Sequence, residues 1–216
     1  MTTFGFLHTA EVHVELFTGL LEELSPADDA VHLVDASLLT DARRRHGVDQ
    51  DLRARIATRL QELSSAGAVR VVCTCSTIGA ASEEIGRRDG IDVLRVDRPM
   101  AAAAVAGGDR IAVVASLEST IGPTHELLRE TAEAAGRQVR IADAPCLEAW
   151  GHWEAGDHAR YFATVASHLE SLDDAFDVLV LAQASMAPVE RIVDLTALVL
   201  SSPRPAVMAL VAREAR

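Results

Sequence analysis

Two cysteines, two positions apart, are the residues of this chain best suited to chemistry. In Cys73-Thr74-Cys75-Ser76-Thr77-Ile78-Gly79 an apolar run enters small hydroxyl residues and a glycine. It then continues into Ala80 to Ile85, which reads as the start of a helix. Such a strand-to-helix turn leaves backbone N–H groups unpaired beside a thiol, and the positive end of the helix dipole lowers a thiol pKa. Cys75, at the strand mouth, is therefore expected to act as a thiolate base or nucleophile. The same N–H groups, with the Ser76 and Thr77 hydroxyls, could hold a carboxylate. Cys73, inside the strand, reads as a small core residue, and Cys146, after Pro145, as structural. A Cys-x-Cys zinc site is the weaker reading, because no second Cys or His pair with ligand spacing accompanies it. No metal is expected.

Other polar residues fall at similar places. His8-Thr9 ends the first strand, where His8 could serve Cys75 as proton partner. Ser116, Ser119 and Thr120 cluster at the matching exit in the second half, where they could equally be helix caps. Gln183-Ala184-Ser185-Met186 follows the last strand read; Gln183 can donate and accept hydrogen bonds but cannot act as a proton base. His152 and Trp153 read as ordinary loop residues, with a loop folded over the site as the alternative. Arg43-Arg44-Arg45 reads as a solvated face. Nothing resembles GxGxxG, a P-loop, HExxH or GxSxG, so neither a nucleotide cofactor nor serine hydrolysis has support, and no cofactor is expected.

The elements that must position these residues follow from periodicity. Short β-branched runs at Phe4–His8, Val31–Val34, Val69–Cys73 and Ile91–Val96 alternate with helical segments at Glu11–Leu24, Asp51–Ser64 and after Pro99. The pattern restarts with strands at Ile111–Ala115, Val139–Ala142 and Val178–Leu181, and helices at Pro123–Ala135 and Asp157–Leu172. Alternation of this kind predicts right-handed βαβ units on parallel sheets. It also suggests a duplication, since Val69–Ser76 resembles Val178–Ser185 and Phe4–Thr9 resembles Ile111–Ser116. The expected fold is α/β: two pseudo-symmetric lobes, each a short parallel sheet flanked by helices, with the active-site cleft between them. The lobes are placed at residues 1–97 plus about 203–216, and at 98–202.

Composition narrows the partners. The 216 residues are 49% hydrophobic but only 4% aromatic, so the core must be built from Ala, Val, Leu and Ile. A net charge of −12 argues against nucleic acid or an anionic membrane as partner. Three cysteines without a disulfide framework, and no apolar run of membrane-spanning length, predict a soluble, cytoplasmic protein. A homodimer is the commonest default for such a chain.

On these residues the sequence resembles the aspartate/glutamate/hydantoin racemase superfamily. The resemblance spans nearly the whole chain. It is carried by Phe6-Leu7-His8-Thr9, by Val72-Cys73-Thr74-Cys75-Ser76-Thr77, by Val113-Val114-Ala115-Ser116 with Thr120, and by Leu181-Ala182-Gln183-Ala184-Ser185-Met186-Ala187. It implies two α/β lobes and cofactor-independent chemistry on a small carboxylate, with one cysteine from each lobe. Cys75 matches the first of those cysteines. Ser76, Thr77, Ser116, Thr120 and Ser185 match positions that hold the substrate carboxylate or line the polar pocket, and Thr9 and Gln183 join them as candidate substrate contacts. At the second cysteine position stands Gln183 by strand spacing, or Ala184 by repeat alignment. Racemisation needs an acid and a base on opposite faces, so a single thiol suits decarboxylation or cis–trans isomerisation better. The expectation is thus a racemase-like or decarboxylase-like enzyme working through one cysteine. The alternative is an inactive module that kept the carboxylate site.

Overall fold

The computed structural model describes residues 1–212. The last four residues of the expected C-terminal segment, 213–216, lie outside the described part. The chain divides into two compact units, one from Met1 to Val96 together with the segment beginning at Pro203, the other Asp97–Ser202.

The first unit is built from β1 (Thr3–His8), α1 (Val12–Leu24), β2 (Asp29–Val34), α2 (Ala36–Arg44), α3 (Gln50–Ser65), β3 (Arg70–Cys73), α4 (Ser76–Asp89) and β4 (Val93–Arg95). The second contains α5 (Arg98–Gly107), β5 (Arg110–Ala115), α6 (Glu118–Ala134), β6 (Arg140–Pro145), α7 (Trp150–Glu154), α8 (His158–Glu170), β7 (Val178–Leu181) and β8 (Leu198–Ser201). A final helix, α9 (Pro203–Val211), packs on α1 of the first unit. There Arg204 pairs with Glu23 at 2.5 Å.

Each unit is a four-stranded parallel sheet, and the orders correspond: β2-β1-β3-β4 and β6-β5-β7-β8. Both sheets are covered on both faces, which explains why their central strands read as unbroken apolar runs. Along β1 and β3, Leu7, Val71 and Cys73 face a core closed by Leu52, Ile56 and Leu60 of α3. Phe4, Phe6 and Val72 face the opposite layer, closed by Phe17 and Leu21 of α1 and Val207 of α9. In the second unit Ile111, Val113 and Val180 point at α5 and α6. Val114, Leu179 and Leu181 point at α8. Among the described residues no helix is long and apolar enough to cross a membrane.

Several element boundaries differ from the sequence reading. Helix α4 starts at Ser76 rather than near Ala80, which makes Cys75 its N-cap. Helix α6 starts at Glu118 and carries Pro123 inside it, so Ser119 and Thr120 belong to its first turn. Six elements had no counterpart in the sequence reading: α2, a 3-10 turn at Leu147–Ala149, α7, a 3-10 segment at Ala184–Arg191, β8 and α9. His152 and Trp153 lie on α7 rather than on a loop. Trp153 stacks on His158 at 4.4 Å and tilts against Tyr161 at 5.1 Å. Arg44 and Arg45 pair with Asp41 and Asp49, which agrees with a solvated face.

Candidate functional site

The site of the first unit is built on the carboxyl ends of β1 and β3. Their register sets Leu7 beside Cys73, and the Thr74 N–H continues the ladder onto the Leu7 carbonyl at 3.0 Å. Two residues beyond β3, Cys75 adopts an extended conformation (φ −122°, ψ 113°), and α4 begins at the next residue. A strand that turns this sharply into a helix presents its N-cap side chain to the first turn's unpaired N–H groups. The Cys75 sulfur makes no ordinary capping bond. Even so, the hydroxyls of Thr9 and Thr77 and the N–H groups of Ile78 and Thr77 all act to favour its anion.

Burial opposes them and wins. Cys75 is 8% exposed, and desolvation pushes its thiol pKa up despite those donors. The magnitudes explain the outcome: a helix terminus contributes roughly 0.3–1 kcal/mol, whereas full burial of an ionisable group moves its pKa by up to about 3–5 units. The resting group is a neutral thiol, where the sequence reading expected a depressed pKa. Cys73, fully buried in the core, receives the Ser82 hydroxyl at 3.3 Å and has no access to solvent.

His8, expected as the proton partner of Cys75, falls beside Thr74 in the strand register and is engaged elsewhere. It is fully buried. Its Nδ1 meets Thr74 Oγ1 at 2.9 Å and its Nε2 meets His32 Nδ1 at 2.9 Å. The Thr74 hydroxyl also reaches the Leu7 carbonyl at 3.1 Å. With that proton committed, His8 Nδ1–H donates to Thr74, and His8 Nε2 accepts from His32. His32 in turn meets the Thr18 hydroxyl at 3.1 Å. Burial, with His32 and His13 nearby, lowers the His8 pKa from 6.5 to about 3, so the imidazole is neutral near pH 7. The sulfur's partner from the end of β1 is therefore Thr9, and His8 lies behind Thr74.

The second unit repeats this construction with different chemistry. The Ala182 N–H bonds the Val114 carbonyl at 2.9 Å, as Thr74 does Leu7. Two residues beyond β7, Gln183 takes the same extended conformation (φ −131°, ψ 138°) and caps a 3-10 segment, Ala184–Arg191. This equivalence selects Gln183, and not Ala184, as the counterpart of Cys75. Thr9, one residue past β1, serves the Cys75 sulfur; Ser116, one residue past β5, serves Gln183. The Gln183 Oε1 accepts from the Ser116 N–H at 2.6 Å, the Leu117 N–H at 3.0 Å and the Ser116 hydroxyl at 3.0 Å. Three donors on one oxygen identify that atom as the amide carbonyl and leave the NH2 as a free donor.

Tyr161 completes this cluster, with its hydroxyl 3.1 Å from Ser116 Oγ and 3.0 Å from Ser185 Oγ. It is the chain's only tyrosine and lies on α8, and nothing in the spacing of the sequence connects it to Ser116 or Ser185. Burial raises its pKa, which keeps the phenol protonated. Thr120 stands apart, its hydroxyl returned to the Leu117 carbonyl at 2.9 Å. The structure thus groups Cys75, Thr9 and Thr77 in one unit, next to Ser76 at the first position of α4. It groups Ser116, Gln183 and Ser185 in the other.

Known structures with this architecture include racemases and a decarboxylase. An aspartate racemase from Picrophilus torridus aligns over 98% of this chain and 93% of its own, with a TM-score of 0.75 and 14% identity. A glutamate racemase from Bacillus anthracis aligns over 97% and 80%, with a TM-score of 0.66 and 18% identity. An arylmalonate decarboxylase aligns over 95% and 88%, with a TM-score of 0.54 and 16% identity. The fold is that of the aspartate and glutamate racemases. No protein-family model and no curated protein sequence matches the chain, so the likeness is one of architecture. On that racemase fold, the end of β3 carries a thiol and the end of β7 carries an amide.

Proposed function

We propose that this chain is a cofactor-independent, racemase-like enzyme for a small carboxylate substrate, working through the single thiol of Cys75. The observation that carries this reading is the setting of that sulfur: buried, at the N-terminus of α4, and facing the Thr9 and Thr77 hydroxyls and two backbone N–H groups. A neutral thiol in such a setting is a proton donor whose conjugate anion has partners waiting. The step that suits it is protonation of a carbanion. After loss of carbon dioxide from a malonate-type acid, the C–C bonding pair remains on carbon as an enolate. The Cys75 S–H bond then breaks as its proton forms the new C–H bond. The thiolate left behind is held by the four donors until a solvent proton restores the thiol. Run in reverse, the thiolate removes an α-proton.

Gln183 supports the one-thiol form of the reaction. An amide donates and accepts hydrogen bonds but exchanges no proton at neutral pH, so the second unit supplies polar recognition in place of a second base. His8 is assigned as a positioning residue that holds Thr74, and with it the turn into Cys75. The same replacement favours a second reading, a carboxylate-binding module without turnover.

Turnover decides between them. Small carboxylic acids and malonates incubated in heavy water should gain deuterium at the α-carbon, or lose carbon dioxide, with the native chain. Cys75→Ser should lower the rate by about 10²–10⁴, the range typical of a positioned proton-transfer group. If no acid reacts, yet several raise the unfolding temperature and shield Cys75 from alkylation, the binding module is the correct reading. Turnover that survives in Cys75→Ser would reject the thiol mechanism.

A further inference from the structure

In the second unit, three side chains that play no part in the proposed reaction converge. The ligand atoms of Cys146, Glu148 and His168 all lie within 4.8 Å of one another. Cys146 follows the end of β6 and is fully buried, whereas Glu148 is exposed on the 3-10 turn. His168 comes from the last turns of α8, so the set joins two separate stretches of chain. Cys146 Sγ and Glu148 Oε1 are 3.5 Å apart. A tetrahedral zinc ion with a sulfur ligand at about 2.3 Å and an oxygen ligand at about 2.0 Å places those two atoms about 3.5 Å from each other.

The backbone holds the histidine by one of its ring nitrogens. Its Nε2–H donates to the Ala144 carbonyl at 3.1 Å. A backbone carbonyl that accepts from Nε2–H leaves Nδ1 as the nitrogen for a metal, the arrangement by which carbonyls commonly hold coordinating imidazoles. The backbone also fixes the cysteine: its N–H bonds the Ala115 carbonyl at 2.8 Å, and its carbonyl receives the Ala149 N–H at 3.2 Å.

We propose that Cys146, Glu148 and His168 form a binding site for one transition-metal ion, with Zn2+ as the cation that suits the donor set. Thiolate, imidazole and carboxylate together favour zinc over calcium or magnesium, which take oxygen ligands. Three protein ligands leave one position for water. On binding, the Cys146 thiol proton passes to solvent and the sulfur–metal bond takes its place. The ion ties the segment after β6 to α8. Tyr161 lies two helical turns before His168 on α8, so the metal would steady the helix face that carries the Tyr161 hydroxyl to Ser116 and Ser185.

Cobalt(II) is the probe, since a thiolate-to-cobalt charge-transfer band in the near ultraviolet reports sulfur ligation directly. Titrating the full chain with Co2+ alone should produce that band at one equivalent. Cys75→Ser should keep it and Cys146→Ser should lose it. Glu148→Gln and His168→Ala, both at positions reachable by solvent, should weaken Co2+ binding at least tenfold with the far-ultraviolet circular dichroism unchanged. Excess Zn2+ should displace the band and raise the unfolding temperature of the native chain but not of His168→Ala. Absence of the band overturns the proposal. So does a band that persists in Cys146→Ser, or one that disappears in Cys75→Ser.

Discussion

At Cys75 and Gln183 one backbone geometry carries two chemistries. Both residues follow their strands by two positions in extended conformation, and each meets the residue just past the end of the neighbouring strand. A sulfur placed there gains donors that favour its anion; an amide gains a rigid hydrogen-bond junction. The strength of that junction is testable. Gln183→Ala removes the one acceptor serving the Ser116 and Leu117 N–H groups, and an unsatisfied buried donor costs about 1–3 kcal/mol. Urea denaturation should show Gln183→Ala less stable by about 2 kcal/mol or more, with Gln183→Glu, which keeps the acceptor oxygen, losing less. Equal stability of the alanine variant and the native chain would show that water replaces the amide at no cost.

At the scale of elements, α4 is what aims the thiol. Its start is set by the turn at Cys75 and its end by Gly90, in the left-handed region at φ 73°. Between them Gly86 lets the helix rest on the segment leading into β4. A methyl group there would meet Val93 Cγ2 at 2.5 Å and the Ile91 carbonyl at 2.7 Å. Gly86→Ala gains about 1 kcal/mol in helix propensity but must push α4 off that backbone, and overpacking of this kind costs about 1–3 kcal/mol. The net effect should be a loss of stability, seen in urea, together with faster alkylation of Cys75 as the helix lifts. A stabilised Gly86→Ala protein with unchanged alkylation would show that the contact yields without strain. The same interplay of helix and loop explains the helix starts that the sequence reading placed late. Ser76-Thr77 and Ser119-Thr120 read as loop residues because hydroxyl side chains favour caps and turns, but here each pair forms a first helical turn.

For the whole molecule, the buried histidines set the response to acid. His8 and His13 have pKa values lowered to about 3 and about 4, and His32 is lowered as well, all by burial. In the unfolded chain these groups protonate near 6.5. Stability is therefore fully present above about pH 6.5 and is lost as pH falls toward the folded-state values, because the unfolded chain takes up protons that the native one refuses. Each such histidine contributes a slope of about 1.4 kcal/mol per pH unit within that window. The unfolding free energy of His8→Gln should decline less steeply between pH 6 and pH 4, by about that slope. Parallel profiles for the two proteins would place the acid sensitivity elsewhere.

Much of the architecture was legible in the chain itself. Unbroken apolar runs such as Val178-Leu179-Val180-Leu181 imply strands covered on both faces, and their alternation with amphipathic stretches implies parallel sheets. The exit of β3 could be read as a thiol site because a hydroxyl-rich turn directly follows an apolar strand. Short edge elements such as β8 and α7 carry too little period to declare themselves, and their structure comes from the faces they cover. Tertiary structure alone decided three matters. It brought Tyr161 to Ser116 and Ser185, and His168 to Cys146, across spans of chain that no motif connects. It committed both nitrogens of His8 to Thr74 and His32. It also left the Cys75 thiol protonated, because the loss of water around a buried sulfur outweighs the pull of a helix end. A sequence records which donors stand near a group, but only the packed fold determines how much water remains to solvate its charge.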